Sequence, residues 1–234
     1  MPRAPSTPAS ERRAHAVQAL LALARHTAPD QITTASIAQE MGVSHGAFFR
    51  HFPTRESLWA EAVLWATGAL DARFETCVQP CPLQEVTALM ACHAAMLEEN
   101  PGLVRMLFAE LQRPATSGAR DTGKAFMERF RGRLAGLIGA AQSKQLLDPD
   151  LDPQEVAALL VATQQGLLLQ ALAHDGFQEF PERSRRAVAF FLRRRMAGAA
   201  PGNTPGESRP QRASPPSETH RHRPAMWPDD PPAG

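Results

Sequence analysis

Between Ile32 and Leu58 the chain concentrates side chains that hydrogen-bond to anions and to the edges of heterocycles: Thr33, Thr34, Ser44, His45, Arg50, His51 and Arg55. Their types and spacing suit recognition rather than turnover. The chain has no glycine-rich phosphate loop, no paired-histidine metal motif and no nucleophile elbow. A helical enzyme using Cys92 or His93 is therefore the remote alternative.

Those residues need two short helices to carry them. Thr33 or Thr34 caps the first, whose inward residues are Ile37, Ala38 and Met41. Gly42 supplies the left-handed conformation that ends a helix without steric cost. Val43 plugs the corner, Ser44 caps the second helix, and Phe48 and Phe52 face inward before Pro53. Ala38 is small enough to let the helices cross. The outward face then presents Ser44, His45, Ala47, Phe49, Arg50 and His51, with Gly46 keeping the surface low for close backbone approach. Such a helix fits a DNA major groove, its early residues nearest the base edges. Ser44 and the neighbouring N–H groups suit a phosphate oxygen. Thr54 caps a third helix that opens with Arg55, where a cation is slightly unfavourable unless a phosphate lies nearby.

The remaining elements read as helices throughout. Val17, Leu20, Leu21 and Ala24 follow helical spacing from about Glu11 until Pro29-Asp30. After Thr54, Val63, Leu64, Leu70 and Phe74 continue a helix to the Pro80-Cys81-Pro82 break. Leu83 to Glu99 is next, stopped by Asn100-Pro101-Gly102, then Leu103 to Leu111, ended by Pro114. A Ser/Gly/Ala linker leads to a long helix from about Thr122 to Gln145, carrying Phe126, Phe130, Leu134, Leu137 and Ile138. Asp152 caps a helix from Gln154 to about His174, with Pro153 in its first turn, and a last helix runs from Pro181 to about Met196. No β alternation and no fixed-period repeat appear.

Composition sets the outer limits. In 234 residues, 43% hydrophobic and 21% charged residues are ordinary for a globular protein with a real core. The net charge of +1 places any nucleic-acid affinity in local cations and helix ends, not in a global field. No stretch approaches the apolar length that crosses a bilayer, and the N-terminus lacks the apolar run of a secretion signal. The three cysteines are too few for a disulfide framework, so the expected compartment is the cytoplasm. The expected layout is a disordered arm over 1–10, a helix-turn-helix domain over 11–57, a helical domain over 58–196 and a disordered Pro-rich tail over 197–234.

The pattern Thr34-x-x-Ile37-Ala38-x-x-Met41-Gly42-Val43-Ser44-x-Gly46-x-Phe48-Phe49-x-His51-Phe52-Pro53-x-Arg55-Glu56-x-Leu58 closely resembles the DNA-binding signature of the TetR/AcrR family of bacterial regulators. The close match covers residues 11 to 60, and helix order extends a weaker one to about 196. The resemblance implies an all-α fold: an N-terminal three-helix DNA-binding domain and a larger C-terminal helical domain for ligand binding and dimerisation. It implies a ligand-responsive regulator, by analogy a repressor, with double-stranded operator DNA, a small apolar effector and a second copy of the chain as partners, and no cofactor or membrane. Thr34, Ser44 and His51 then take backbone-positioning roles, as does Thr33 beside them. His45 and Ala47 face base edges, and Arg55 stands where the family usually has a phosphate-binding lysine. Two residues depart from the pattern. Phe49 replaces a tyrosine whose hydroxyl meets a phosphate, and Ala47 replaces a threonine, leaving only a methyl for a thymine.

In the larger half, the expected dimer face comprises Val156, Leu159, Leu160, Thr163, Leu167 and Gln170, with Gly166 allowing close approach, and Val188, Phe191 and Leu192 on the last helix. Candidate effector walls are Met90, His93, Met96, Met106, Phe126 and Phe130, a set that core packing explains equally well. A metal- or thiol-responsive regulator using Cys77, Cys81, Cys92 and His93 is the sharper alternative, although the spacing matches no zinc site.

Overall fold

A computed structural model describes residues 9–113, 117–174 and 176–192 of the chain. The expected N-terminal arm, the Pro-rich tail, and the end of the last helix at Met196 lie wholly or almost wholly outside these residues. Helices α1 (Ala9–Ala24), α2 (Thr34–Glu40) and α3 (His45–Phe49) form the N-terminal group. Then follow α4 (Arg55–Phe74), α5 (Pro82–Glu99), α6 (Pro101–Leu111), α7 (Gly118–Ser143), α8 (Pro153–Ala173) and α9 (Phe180–Phe191). Among the described residues there is no strand.

The caps are where the short polar residues put them. Thr33 and Ser36 form a reciprocal capping box on α2, each hydroxyl accepting the other's backbone N–H at 3.1 and 3.0 Å. Thr54 accepts from Ser57 N at 3.1 Å on α4, and Asp152 accepts from Gln154 N at 2.9 Å with Pro153 in the first turn of α8.

Helix α4 is a single rod that crosses the expected boundary at residue 57. Its Leu58, Ala62, Val63, Ala66, Leu70 and Phe74 are buried, and one hydrophobic core runs from α1–α3 along it to α5, α7 and α8. Phe74 stacks on Phe130 of α7 at 5.0 Å between ring centres. Arg129 pairs with Asp71 at 3.1 Å, and Arg133 reaches Glu85 at 3.2 Å and the Phe74 carbonyl at 3.3 Å. These contacts strap α7 along the far end of the rod.

Three expectations are corrected. The Ser/Gly/Ala linker before Thr122 is in part the first turn of α7: Ser117 caps it, accepting from Arg120 N at 3.2 Å. Asn100-Pro101-Gly102 does not merely stop a helix, because α6 starts at Pro101 itself. Gly102 lies where α6 meets α1, and a Cβ there would stand 2.3 Å from the Leu21 carbonyl oxygen. Finally, one apolar helix, Pro153–Ala173, does have the length and composition to cross a bilayer. It is apolar on two sides for two reasons: Val156, Ala157, Leu160, Val161, Leu168 and Ala171 pack into the core, while Leu159 and Leu169 remain exposed.

Candidate nucleic-acid interface

Helices α2 and α3 meet at Gly42, whose φ of 67° lies in the left-handed region. The turn closes with Gly42 N donating to Gln39 O and Val43 N donating to Ala38 O, both at 3.0 Å. Ile37 and Ala38 are fully covered beneath the crossing. Ser44 caps α3 and accepts from Ala47 N at 3.3 Å. Phe48 and Phe52 are buried with ring centres 5.4 Å apart, which fixes the direction of the opposite face. On that face Ser44, His45, Gly46, Phe49, Arg50 and His51 are exposed and Ala47 is half-buried.

His45 is held from outside its own helix. Its Nε2 lies 3.0 Å from Thr34 Oγ1 at the start of α2, and its ring sits 5.9 Å from that of Phe49. Thr34, expected as a backbone-positioning residue, thus also positions a neighbouring side chain. Sequence spacing of 11 residues gave no hint of that contact. Val43 does not plug the corner as expected. It is 40% exposed, because the backbone hydrogen bond to Ala38 closes the turn and leaves the side chain outside.

Arg55 is engaged within the subunit. Its Nη1 donates to the carbonyls of Pro29 and Asp30 at 3.0 and 3.3 Å, and its guanidinium lies 4.7 Å over the Trp59 ring. This ties the 3-10 turn Pro29–Gln31 to the first turn of α4 and answers how a cation sits at a helix N-terminus. On the other flank of α3 an open groove of about 630 Å³ runs against α1, lined by Arg12, His15, Val43, Ala47, Arg50 and His51 among others. Arg12 and His15 were missed in the sequence. Two basic residues three apart in the first turns of α1 were the available signal, but only the packing of α1 beside α3 gives it meaning.

In the larger half, all six effector candidates are core. Met90, His93, Met96, Met106, Phe126 and Phe130 are each at most 8% exposed. His93 donates Nδ1–H to Gln164 Oε1 at 2.6 Å, and Gln164 Nε2 donates to Met90 O at 3.0 Å and Ser184 Oγ at 2.7 Å. Burial lowers the pKa of His93, with the Gln164 hydrogen bond opposing. The space among Met90, Leu160, Gln164, Ser184 and Val188 is too tight to admit a water molecule.

The metal alternative gains no support from the placement of its residues. Among the described residues no group of three or more His, Cys, Asp or Glu side chains is placed to hold a metal ion. Burial, then the neighbouring Cys77, pushes the Cys92 thiol up to about 11, opposite to the downward shift of reactive thiols. Of the expected dimer residues, Val156, Leu160 and Val188 lie in the subunit's own core at 9%, 1% and 3% exposure, because α8 and α9 pack on α5 and α7 through that side. Leu159, Gly166 and Gln170 are exposed, while Thr163, Leu167, Phe191 and Leu192 are half-buried. Leu169 and Phe190, not foreseen, are 52% and 67% exposed on the outer side of the same two helices.

Residues 17–62 match the family model described as bacterial regulatory proteins, tetR family, and residues 112–197 match one described as BetI-type transcriptional repressor, C-terminal. The chain belongs to the TetR family of transcriptional regulators. This TetR-family chain is similar to the nucleoid occlusion factor SlmA of Marinomonas sp., 27% identical over 67% of this chain and 81% of that one. It is also similar to SlmA of Idiomarina loihiensis, 30% identical over 58% of this chain and 66% of that one. A TetR transcription regulator from Haloarcula marismortui shares the fold at a TM-score of 0.70, with 21% identity over 78% of this chain and 97% of that one. SmeT, the repressor of a Stenotrophomonas maltophilia multidrug efflux pump, does so at 0.61, with 20% identity over 77% and 88%. The TetR-family assignment makes α1–α3 the DNA-binding, helix-turn-helix part of the regulator.

Proposed function

We propose that the chain is a cytoplasmic, ligand-responsive repressor that binds a palindromic operator as a homodimer and leaves it when a small apolar effector binds. The observation that carries this reading is the face of α3: Ser44, His45, Gly46, Phe49, Arg50 and His51 are exposed while Phe48 and Phe52 anchor the helix from behind. Ser44, His51, Thr33 and Thr34 would hold the backbone, and His45, Gly46 and Ala47 would lie over base edges. Arg55 would act by fixing the start of α4, with any phosphate contact secondary. Residues 11–57 would form the reading domain and 58–196 the regulatory one.

Dimerisation is supported by three large apolar side chains left exposed on α8 and α9, Leu159, Leu169 and Phe190, which a second copy would cover. Repression is favoured by the description of the model that residues 112–197 match. Effector binding would have to open the packed region around Met90, Gln164 and Val188 by moving α8 or α9, and the continuous core along α4 would carry that shift to α3.

The relatives' name supports a second reading, a role tied to the nucleoid rather than to a promoter. Chromatin immunoprecipitation separates the two. A repressor occupies a few promoter sites, and deleting its gene raises transcription there. Many dispersed sites with unchanged transcription would sink the repressor reading.

A further inference from the structure

Phe49 has no role in the fold that its exposure allows. Phe49 is 48% exposed at the end of the five-residue α3, whereas Phe48 and, just beyond the helix, Phe52 are 3% and 4% exposed. It cannot bond a phosphate, because it has neither donor nor acceptor, and bringing a hydrocarbon ring against that charge strips water without replacing it. It does lie against His45, 5.9 Å between ring centres and tilted by 56°, and His45 is held in turn by Thr34 at 3.0 Å. Ala47, with its single methyl, and Val43, 40% exposed, lie on the other flank of α3, in the groove against α1. A phenyl ring this exposed beside His45 needs an apolar complement on the DNA. The major groove offers one such group, the C5 methyl of thymine.

We propose that Phe49 is a specificity-determining residue that packs on a thymine methyl in each half-site, next to the base edge met by His45. The inference rests on the DNA-binding reading above and deepens it. The loss of a hydroxyl at this position is then a change of what is read, from backbone to base. Thr34 acts as a positioning residue by holding the His45 ring against Phe49. The preferred operator carries a thymine at a fixed offset on both sides of its dyad.

The test uses the full chain and a pool of random-sequence duplexes, from which the tightest binder is enriched. Each thymine of that duplex is then replaced singly by deoxyuridine, which removes only the methyl, and affinity is read by fluorescence anisotropy. The wild-type protein should lose about fourfold at one thymine per half-site, the worth of burying one methyl. Phe49→Ala, an exposed position that leaves the fold intact by circular dichroism, should bind the thymine duplex as weakly as wild type binds a duplex carrying deoxyuridine at that position in both half-sites. It should lose nothing more on the replacement. Thr34→Val should reduce the wild-type discrimination without abolishing binding. Indifference of the wild type to deoxyuridine at every position overturns the proposal, as does an undiminished methyl dependence in Phe49→Ala. Failure to enrich any duplex would instead remove the DNA-binding reading along with it.

Discussion

Single residues were legible where their effect is local. Ser44, Thr54 and Asp152 cap helices because a short side-chain oxygen reaches an N–H two or three residues on, and that geometry is written in the chain itself. Glycine was harder, since one residue type answers to two causes. Gly42 is needed for its φ of 67°, which the sequence pattern showed. Gly102 is needed because α1 packs on it, which no local pattern shows. Gly46 belongs to neither class: a Cβ there would meet nothing within 4 Å in the subunit. Gly46→Ala should therefore raise stability by about 0.5–1 kcal/mol through helix propensity, seen as a higher midpoint in urea. It should also weaken operator binding, because the added methyl stands between α3 and the groove. A variant that is more stable and binds as well as wild type would show that the backbone at Gly46 does not approach DNA.

Helix existence followed from apolar spacing, while helix ends and facing partners did not. The start of α7 was hidden in Ser117 and Gly118, residues whose composition says loop and whose cap says helix. His93 was readable as a polar group on an apolar face, but not as the link between α5, α8 and α9 through Gln164 and Ser184. That link has a pH consequence. Burial holds the folded-state pKa of His93 below its unfolded value of about 6.5. Above that value both states are neutral there and the contribution is whole. As pH falls through it the unfolded chain takes up a proton that the folded core resists, so stability is lost on acidification. Thermal melts between pH 8 and pH 5 should fall more steeply for wild type than for His93→Gln, even though the variant starts lower at pH 8. Parallel curves would mean that His93 does not titrate between the two states.

At the scale of the molecule, the all-α architecture was legible from helix order, and the core-facing side of α8 was not. α8 is apolar on both sides, so periodicity could not say which residues face the core. Val156 and Leu160 proved internal and Leu169 and Phe190 external. If the outer side of α8 and α9 joins two copies, Leu169→Glu with Phe190→Glu should yield a folded monomer in analytical ultracentrifugation, with helical content retained and operator affinity reduced by at least tenfold. A dimer that persists would move the interface elsewhere. The account as a whole depends on α3 lying in a major groove. Its most direct test is dimethyl sulfate protection of guanine N7, a major-groove atom, on a duplex enriched by the full chain. The expected result is protection in two half-sites about one helical turn apart, lost together with affinity in His45→Ala. Tight binding that leaves every N7 open to methylation would contradict it.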